Sequence, residues 1–194
     1  MGIRPLNNKA VFLDRDGVIN RALVRDGHPY PPSSLDTLEI QPDVPKALNL
    51  LKESEFLLIV VTNQPDVGRG KQKREIVEEM HTFLLQNLPL NDIFVCWHGL
   101  DGKCECRKPL PGLLIQASEK WQIDLEKSFM IGDRWRDVDS GHAAGCKTIF
   151  IDYQYNECLN YQPDYTTTSI RDASEWIIRQ SNLSICLTPL SETN

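Results

Sequence analysis

An α/β fold, a Rossmann-like parallel sheet flanked by helices, is predicted by three features of this 194-residue chain. Short apolar runs alternate with stretches of helical periodicity, the pattern of parallel strands joined by helical crossovers. Four of the five expected strands end in polar groups: Asp14 and Asp16, Thr62 and Asn63, Cys96, and Asp133. Ligands of parallel sheets bind beyond the carboxyl ends of the strands, so these groups would converge on one site. No repeat or linker divides the chain. Residues 1–180 are therefore expected to form a single domain, with 181–194 as a polar, loosely held tail.

The first strand is the apolar run 10–13, which stops at Asp14-Arg15-Asp16-Gly17. Residues i and i+2 of an extended chain point the same way, so both carboxylates project to one side, where they need a cation or a shared proton. The polar stretch 18–40 carries turn residues and no helical period, as a flap or hairpin over that strand end would. Asp43 can cap a helix whose apolar positions are Val44, Ala47, Leu48, Leu50 and Leu51, with Pro45 tolerated in its first turn. The run 56–61 is the strongest buried-strand signal and ends in Thr62-Asn63-Gln64. A helix over 73–88 follows, with Ile76, Val77, Met80, Phe83 and Leu84 on one face. Strands are expected at 93–96, 128–131 and 147–151, and helices at 112–121, 136–144 and 170–179. Gly145 stands in the C-cap role.

Composition is that of an ordinary globular domain, 41% hydrophobic and 25% charged. The net charge of −6 argues against a nucleic-acid or anionic membrane partner, while a small anionic substrate needs only a few local cations. Met1 to Asn8 lacks the apolar core of a signal peptide and no run is long enough to span a bilayer, so a cytoplasmic protein, acting as a monomer, is expected. In a reducing compartment clustered cysteines suggest metal. Cys96-x-His98 and, further on, Cys104-x-Cys106 offer three thiolates and an imidazole, a closed set suited to tetrahedral structural Zn2+. Arg107-Lys108 follows directly, so zinc would fix the loop that presents Lys108. Cys146, Cys158 and Cys186 have no assigned role.

Asp14-Arg15-Asp16-Gly17, Thr62-Asn63-Gln64, Arg107-Lys108-Pro109 and Gly132-Asp133 with Asp137 resemble, in order, the four motifs of the haloacid dehalogenase (HAD) superfamily of phosphatases. The similarity covers roughly residues 9–152 and is greatest to the heptose 1,7-bisphosphate phosphatases and the related histidinol-phosphatase domain, both of which carry a zinc loop. It implies a phosphoric monoester hydrolase that works through an aspartyl-phosphate. Asp14 would be the nucleophile. Asp16 would protonate the leaving oxygen and then deprotonate water, which requires that it start protonated among anionic neighbours. Thr62 would hold phosphoryl oxygens and Lys108 would supply positive charge. Mg2+ would be bound by Asp14, Asp16 and Asp133. Asp137 either joins them, directly or through water, or serves only the helix N-terminus.

The substrate implied is a small phosphorylated sugar, a heptose 1,7-bisphosphate cleaved to heptose 1-phosphate, with histidinol phosphate as the alternative. A binding module without catalysis is a third reading, opposed by the intact Asp14, Asp16, Thr62, Lys108 and Asp133. Asn63, Arg107 and Arg134 are the expected substrate-binding residues, with Asp26 and His28 on a flap that is similar to one in the family. Arg69 reads as a surface arginine. There is no large cap insertion, so the site should be open. Three departures stand out: Pro65-Asp66 where the family has Ser-Gly, Arg134 where lysine is common, and a short spacing between His98 and Cys104. Arg107-Lys108-Pro109-Leu110-Pro111-Gly112 nevertheless resembles the heptose branch.

Overall fold

The computed structural model describes residues 8–25, 28–99 and 103–186. Six parallel strands form the main sheet. They are β1 (Ala10–Leu13), β4 (Leu57–Asn63), β5 (Asp92–Cys96), β6 (Phe129–Gly132), β7 (Lys147–Ile151) and β8 (Tyr165–Thr167), and lie in the order β5-β4-β1-β6-β7-β8. All four residues of β1 are buried, as befits a central strand covered on both faces. Its alternate side chains go opposite ways. Val11 and Leu13 join the core beneath α1 (Val44–Glu53) and α6 (Ile170–Cys186), whereas Ala10 and Phe12 join the core beneath α4 (Gly112–Trp121). Each fully buried aliphatic or aromatic side chain here contributes about 1.5–3 kcal/mol against exposure.

Helices α3 (Arg74–Asn87) and α5 (Trp135–Ala144) complete the layers, and Gly145 closes α5 at φ 82° in the expected left-handed cap. Pro45 sits in the first turn of α1 as expected, but Asp43, at the N-cap position, makes no side-chain capping bond. The flap expected over 18–40 is an antiparallel hairpin of β2 (Leu23–Arg25) and β3 (His28–Tyr30), followed by a 3-10 turn at Leu35–Thr37. Among the described residues no larger insertion than this hairpin and turn follows β1.

Three elements escaped the sequence reading, one of them the 3-10 turn Leu125–Lys127. Strand β8 is three residues at the sheet edge, too short for a period to register. Helix α2 (Pro65–Gly68) is a single turn, with Pro65 in the first-turn position that suits its fixed φ. Helix α6 also runs to Cys186, past the expected end at Arg179. No helix among the described residues is long and apolar enough to cross a membrane.

The site follows from the strand order. In β1, Leu13 pairs with Val60 of β4 on one side and Ile131 of β6 on the other. Asp14 therefore emerges between the ends of those two strands. Thr62 and Asp133 leave the same rim on either flank.

Candidate active site

Asp14, Asp133 and Asp137 bring carboxylate oxygens within 4.8 Å of one another. Lys108, only 2% exposed, reaches into this group from the loop after β5. Its Nζ lies 2.8 Å from Asp14 Oδ1 and 2.7 Å from Asp137 Oδ1, and donates to the Val61 carbonyl at 2.8 Å. Burial alone would lower the lysine's pKa; the two carboxylates outweigh it and raise it, so the ammonium stays charged. Asp14 is pushed up to about 6 by burial, a rise opposed by Lys108 and reinforced by Asp137 and Asp16. Burial, then the Asp14 and Asp137 charges, raise Asp133 well above the usual carboxylate range.

Neither buried oxygen of Asp133 makes a well-formed hydrogen bond among the described residues, although the Tyr155 side chain lies beside it. A buried carboxylate beside two others is costly unless a cation or proton joins it, so the donor set fits a hard divalent ion. The turn after β1 is built around the same carboxylate. Gly17 has φ 99°, and a Cβ there would fall 2.0 Å from Asp133 Oδ2. Asp137 sits in the same carboxylate group. Its Oδ1 pairs with Lys108, as Oδ1 of Asp14 does, and its Oδ2 accepts the backbone N–H of Arg134 at 3.0 Å, at the start of α5. It therefore serves the helix N-terminus and Lys108 from within the group that could hold the metal.

The Asp16 carboxylate sits apart from Asp14, Asp133 and Asp137, and its contacts are donors rather than anions. Arg15 Nη2 donates to both of its oxygens at 2.7 Å, Asn20 Nδ2 to Oδ1 at 3.0 Å, and Gln64 Nε2 to Oδ2 at 3.0 Å. Gln64 also donates to Thr62 Oγ1 at 3.0 Å, which ties the end of β4 to the turn after β1. Asp14, Asp16, Thr62 and Lys108 all line one cleft, together with Asn63, Gln64, Asp66 and Arg134.

The expected substrate residues divide. Arg134 lines the cleft, ion-paired with Glu157 and with its guanidinium 5.8 Å from the Tyr155 ring centroid. Asn63 reaches the cleft, but its amide holds the backbone of Lys108: Nδ2 donates to the Lys108 carbonyl at 3.0 Å and Oδ1 accepts the Lys108 N–H at 3.1 Å. Arg107 is held on the side of the cysteine loop. Its Nη2 donates to the carbonyls of His98 and Gly99, toward the cysteine loop. Asp26 lies outside the described residues, and His28 is placed only as part of β3. Arg69 is a surface arginine paired with Asp66.

Arg136, missed in the sequence, lines the cleft as well. It is the second residue of α5, just past the end of β6, and nothing in the helical stretch announces a cleft position. Tyr30 and Pro31 from the hairpin form another wall.

The cysteine loop gathers as its spacing predicts. Ligand atoms of Cys96, His98, Cys104 and Cys106 cluster within 4.8 Å. Cys96 Sγ is 3.7 Å from Cys104 Sγ and 3.5 Å from His98 Nδ1, and Cys106 Sγ is 3.2 Å from the same nitrogen. Ligands about 2.3 Å from a tetrahedral centre lie roughly 3.8 Å apart, so these edges match a Zn2+ site. Burial, with Cys96 and Cys104 beside it, pushes the Cys106 thiol up to about 12. Three thiolates cannot share this space without a cation.

Residues 105–173 match the model of the HAD-hydrolase-like family. The chain is 38% identical over 150 residues to a D-glycero-β-D-manno-heptose-1,7-bisphosphate 7-phosphatase of Helicobacter pylori strain J99, covering 74% of this chain and 83% of the relative. A protein of the same name from Pasteurella multocida is 34% identical over 183 residues, covering 87% and 96%. A crystal structure of a D,D-heptose 1,7-bisphosphate phosphatase from B. bronchiseptica, complexed with magnesium and phosphate, superposes with a TM-score of 0.76 at 26% identity. That superposition covers 89% of this chain and 99% of the other.

Proposed function

Because the chain belongs to the D-glycero-β-D-manno-heptose-1,7-bisphosphate 7-phosphatase family of HAD-like hydrolases, we propose that it hydrolyses heptose 1,7-bisphosphate to heptose 1-phosphate and inorganic phosphate. The observation that carries this reading is the pairing of Asp14 with buried Lys108 at the rim where Asp16 and Thr62 also meet the cleft.

In the reading favoured here, a carboxylate oxygen of Asp14 attacks phosphorus and the bond from phosphorus to the sugar oxygen breaks. The departing oxygen takes a proton from Asp16, whose oxygens must first release one of the N–H donors that hold them in the resting structure. Water then attacks the aspartyl-phosphate, gives a proton back to Asp16, and releases phosphate with Asp14 regenerated. Lys108 lies against Asp14 throughout and offsets the negative charge that gathers on the phosphoryl oxygens. Thr62, at the end of β4, is placed to hold one of those oxygens. Asp14 and Asp133 would hold Mg2+, which when bound neutralises phosphoryl charge. Cys96, His98, Cys104 and Cys106 would hold Zn2+ as a structural ion, anchoring the loop that ends in Lys108.

Arg134 and Arg136 are the cleft cations suited to the phosphate that is retained. Arg136 has no ion-pair partner among the described residues, so it is the freer of the two to meet an anion. The protein is read as a cytoplasmic monomer whose partner is this small phosphorylated sugar.

The test is a panel of heptose 1,7-bisphosphate, histidinol phosphate and p-nitrophenyl phosphate with released phosphate as readout. Highest kcat/KM on the heptose ester is expected. Preference for histidinol phosphate would replace the substrate, and no turnover by metal-replete protein would leave a binding module.

A further inference from the structure

Arg15 is the largest side chain with no exposed surface among the described residues. A guanidinium has five N–H donors, no acceptor and a fixed planar fork. Here Nη2 and Nε donate to the Asp16 carboxylate, at 2.7 Å to each oxygen and at 3.1 Å to Oδ1. Nη1 points the other way and lies 3.1 Å from Nε2 of His81, on the inner face of α3. Arginine can only donate, so His81 Nε2 is the acceptor and its proton sits on Nδ1.

His81 is itself buried, at 7% exposure. Burial, with Arg15 beside it and Asp16 opposing, lowers its pKa to about 3, so the ring is neutral and presents a lone pair to the guanidinium. Its ring centroid lies 6.1 Å from that of Trp97, between the metal-loop residues Cys96 and His98. On Trp97 the Arg74 guanidinium packs at 4.8 Å from the ring centroid.

We propose that His81 is a positioning residue for the acid–base step: its imidazole fixes the Arg15 fork, and the fork fixes the Asp16 carboxylate against the leaving oxygen. The proposal rests on the phosphatase reading above. A buried guanidinium that loses an acceptor can recover it only by rotating its plane, and Asp16, held by three of its N–H contacts, would turn with it. Gln64 and Asn20 hold Asp16 from its other sides, so the effect is a misaimed carboxylate rather than a lost one. Nothing in this chain of contacts touches Asp14 or Lys108 directly, so formation of the aspartyl-phosphate from a good leaving group should survive.

That separation supplies the test. The value of kcat/KM reports the first irreversible step, in which a sugar oxygen needs a proton and p-nitrophenolate scarcely does. His81→Met keeps bulk without the ring acceptor, and His81→Gln restores an accepting oxygen. In His81→Met, kcat/KM on the sugar phosphate should fall roughly tenfold to a hundredfold, against less than about threefold on p-nitrophenyl phosphate, within what general acid catalysis supplies. His81→Gln should return the ratio of the two to within about threefold of the unaltered enzyme. Asp16→Asn calibrates the full selective loss.

An unchanged ratio in His81→Met, or a glutamine variant as impaired as the methionine one, would overturn the role of His81. Absence of turnover by the unaltered enzyme on every ester would instead sink the phosphatase reading. Nitrogen NMR of the unaltered protein tests the same contact without a variant. A neutral imidazole protonated at Nδ1 is expected, and one protonated at Nε2 refutes the proposal.

Discussion

The side chain of Asn63 grips the backbone of Lys108 at both its N–H and its carbonyl, across 45 residues of sequence. The position of the Lys108 ammonium is thereby tied to the end of β4, next to Thr62. Asn63→Ala should leave two backbone groups unpaired and cost about 1–3 kcal/mol of stability. Turnover should fall with KM little changed, because the displaced group acts on the transition state. Thermal unfolding together with steady-state kinetics checks both parts.

Asp14→Asn should abolish turnover on every phosphate ester, since a neutral amide cannot form the acyl phosphate. Phosphate release should drop by at least about a thousandfold while the circular dichroism spectrum stays native. Residual turnover within tenfold of the original enzyme would remove Asp14 as nucleophile.

Metal-free protein should respond to pH through Asp14 and Asp133. Both have raised pKa values in the folded chain, Asp14 at about 6 against 3.8 unfolded. The folded state therefore binds more protons between those values, and this contribution to stability falls as pH rises through that window. Mg2+ competes with those protons. The rise in melting temperature on adding Mg2+ should therefore be larger at pH 7.5 than at pH 5, by differential scanning fluorimetry at matched ionic strength. A shift independent of pH would place the ion away from these carboxylates.

Removing zinc should act through Lys108 rather than through Asp14. Cys104→Ser should lower zinc content, measured by atomic emission, and reduce turnover in parallel. Arg107 bridges from beside Lys108 to the carbonyls of His98 and Gly99, so the loop and the lysine move as one piece. Full activity in protein stripped of zinc would refute this.

Arg136→Ala should raise KM for the bisphosphate by roughly tenfold while leaving p-nitrophenyl phosphate turnover nearly unchanged, the pattern expected when one charge-assisted contact to the retained phosphate is lost. Equal effects on both substrates would assign Arg136 a structural task.

Sequence by itself determined the layers of the sheet, because an unbroken apolar run such as 10–13 locally marks a strand covered on both faces. It also determined the gathering of Cys96, His98, Cys104 and Cys106 and the motif residues at the strand ends, where chemistry demands particular side chains within a few positions of each other. Which partner each polar group chose was decided only by the tertiary structure. Asn63 turned to the Lys108 backbone, Arg107 to the loop carbonyls, Asp137 to Lys108, and Asp16 to Arg15. Those choices depend on β1 lying between β4 and β6, which sets groups from distant segments competing for the same donors at contact range. No local period records the outcome of that competition.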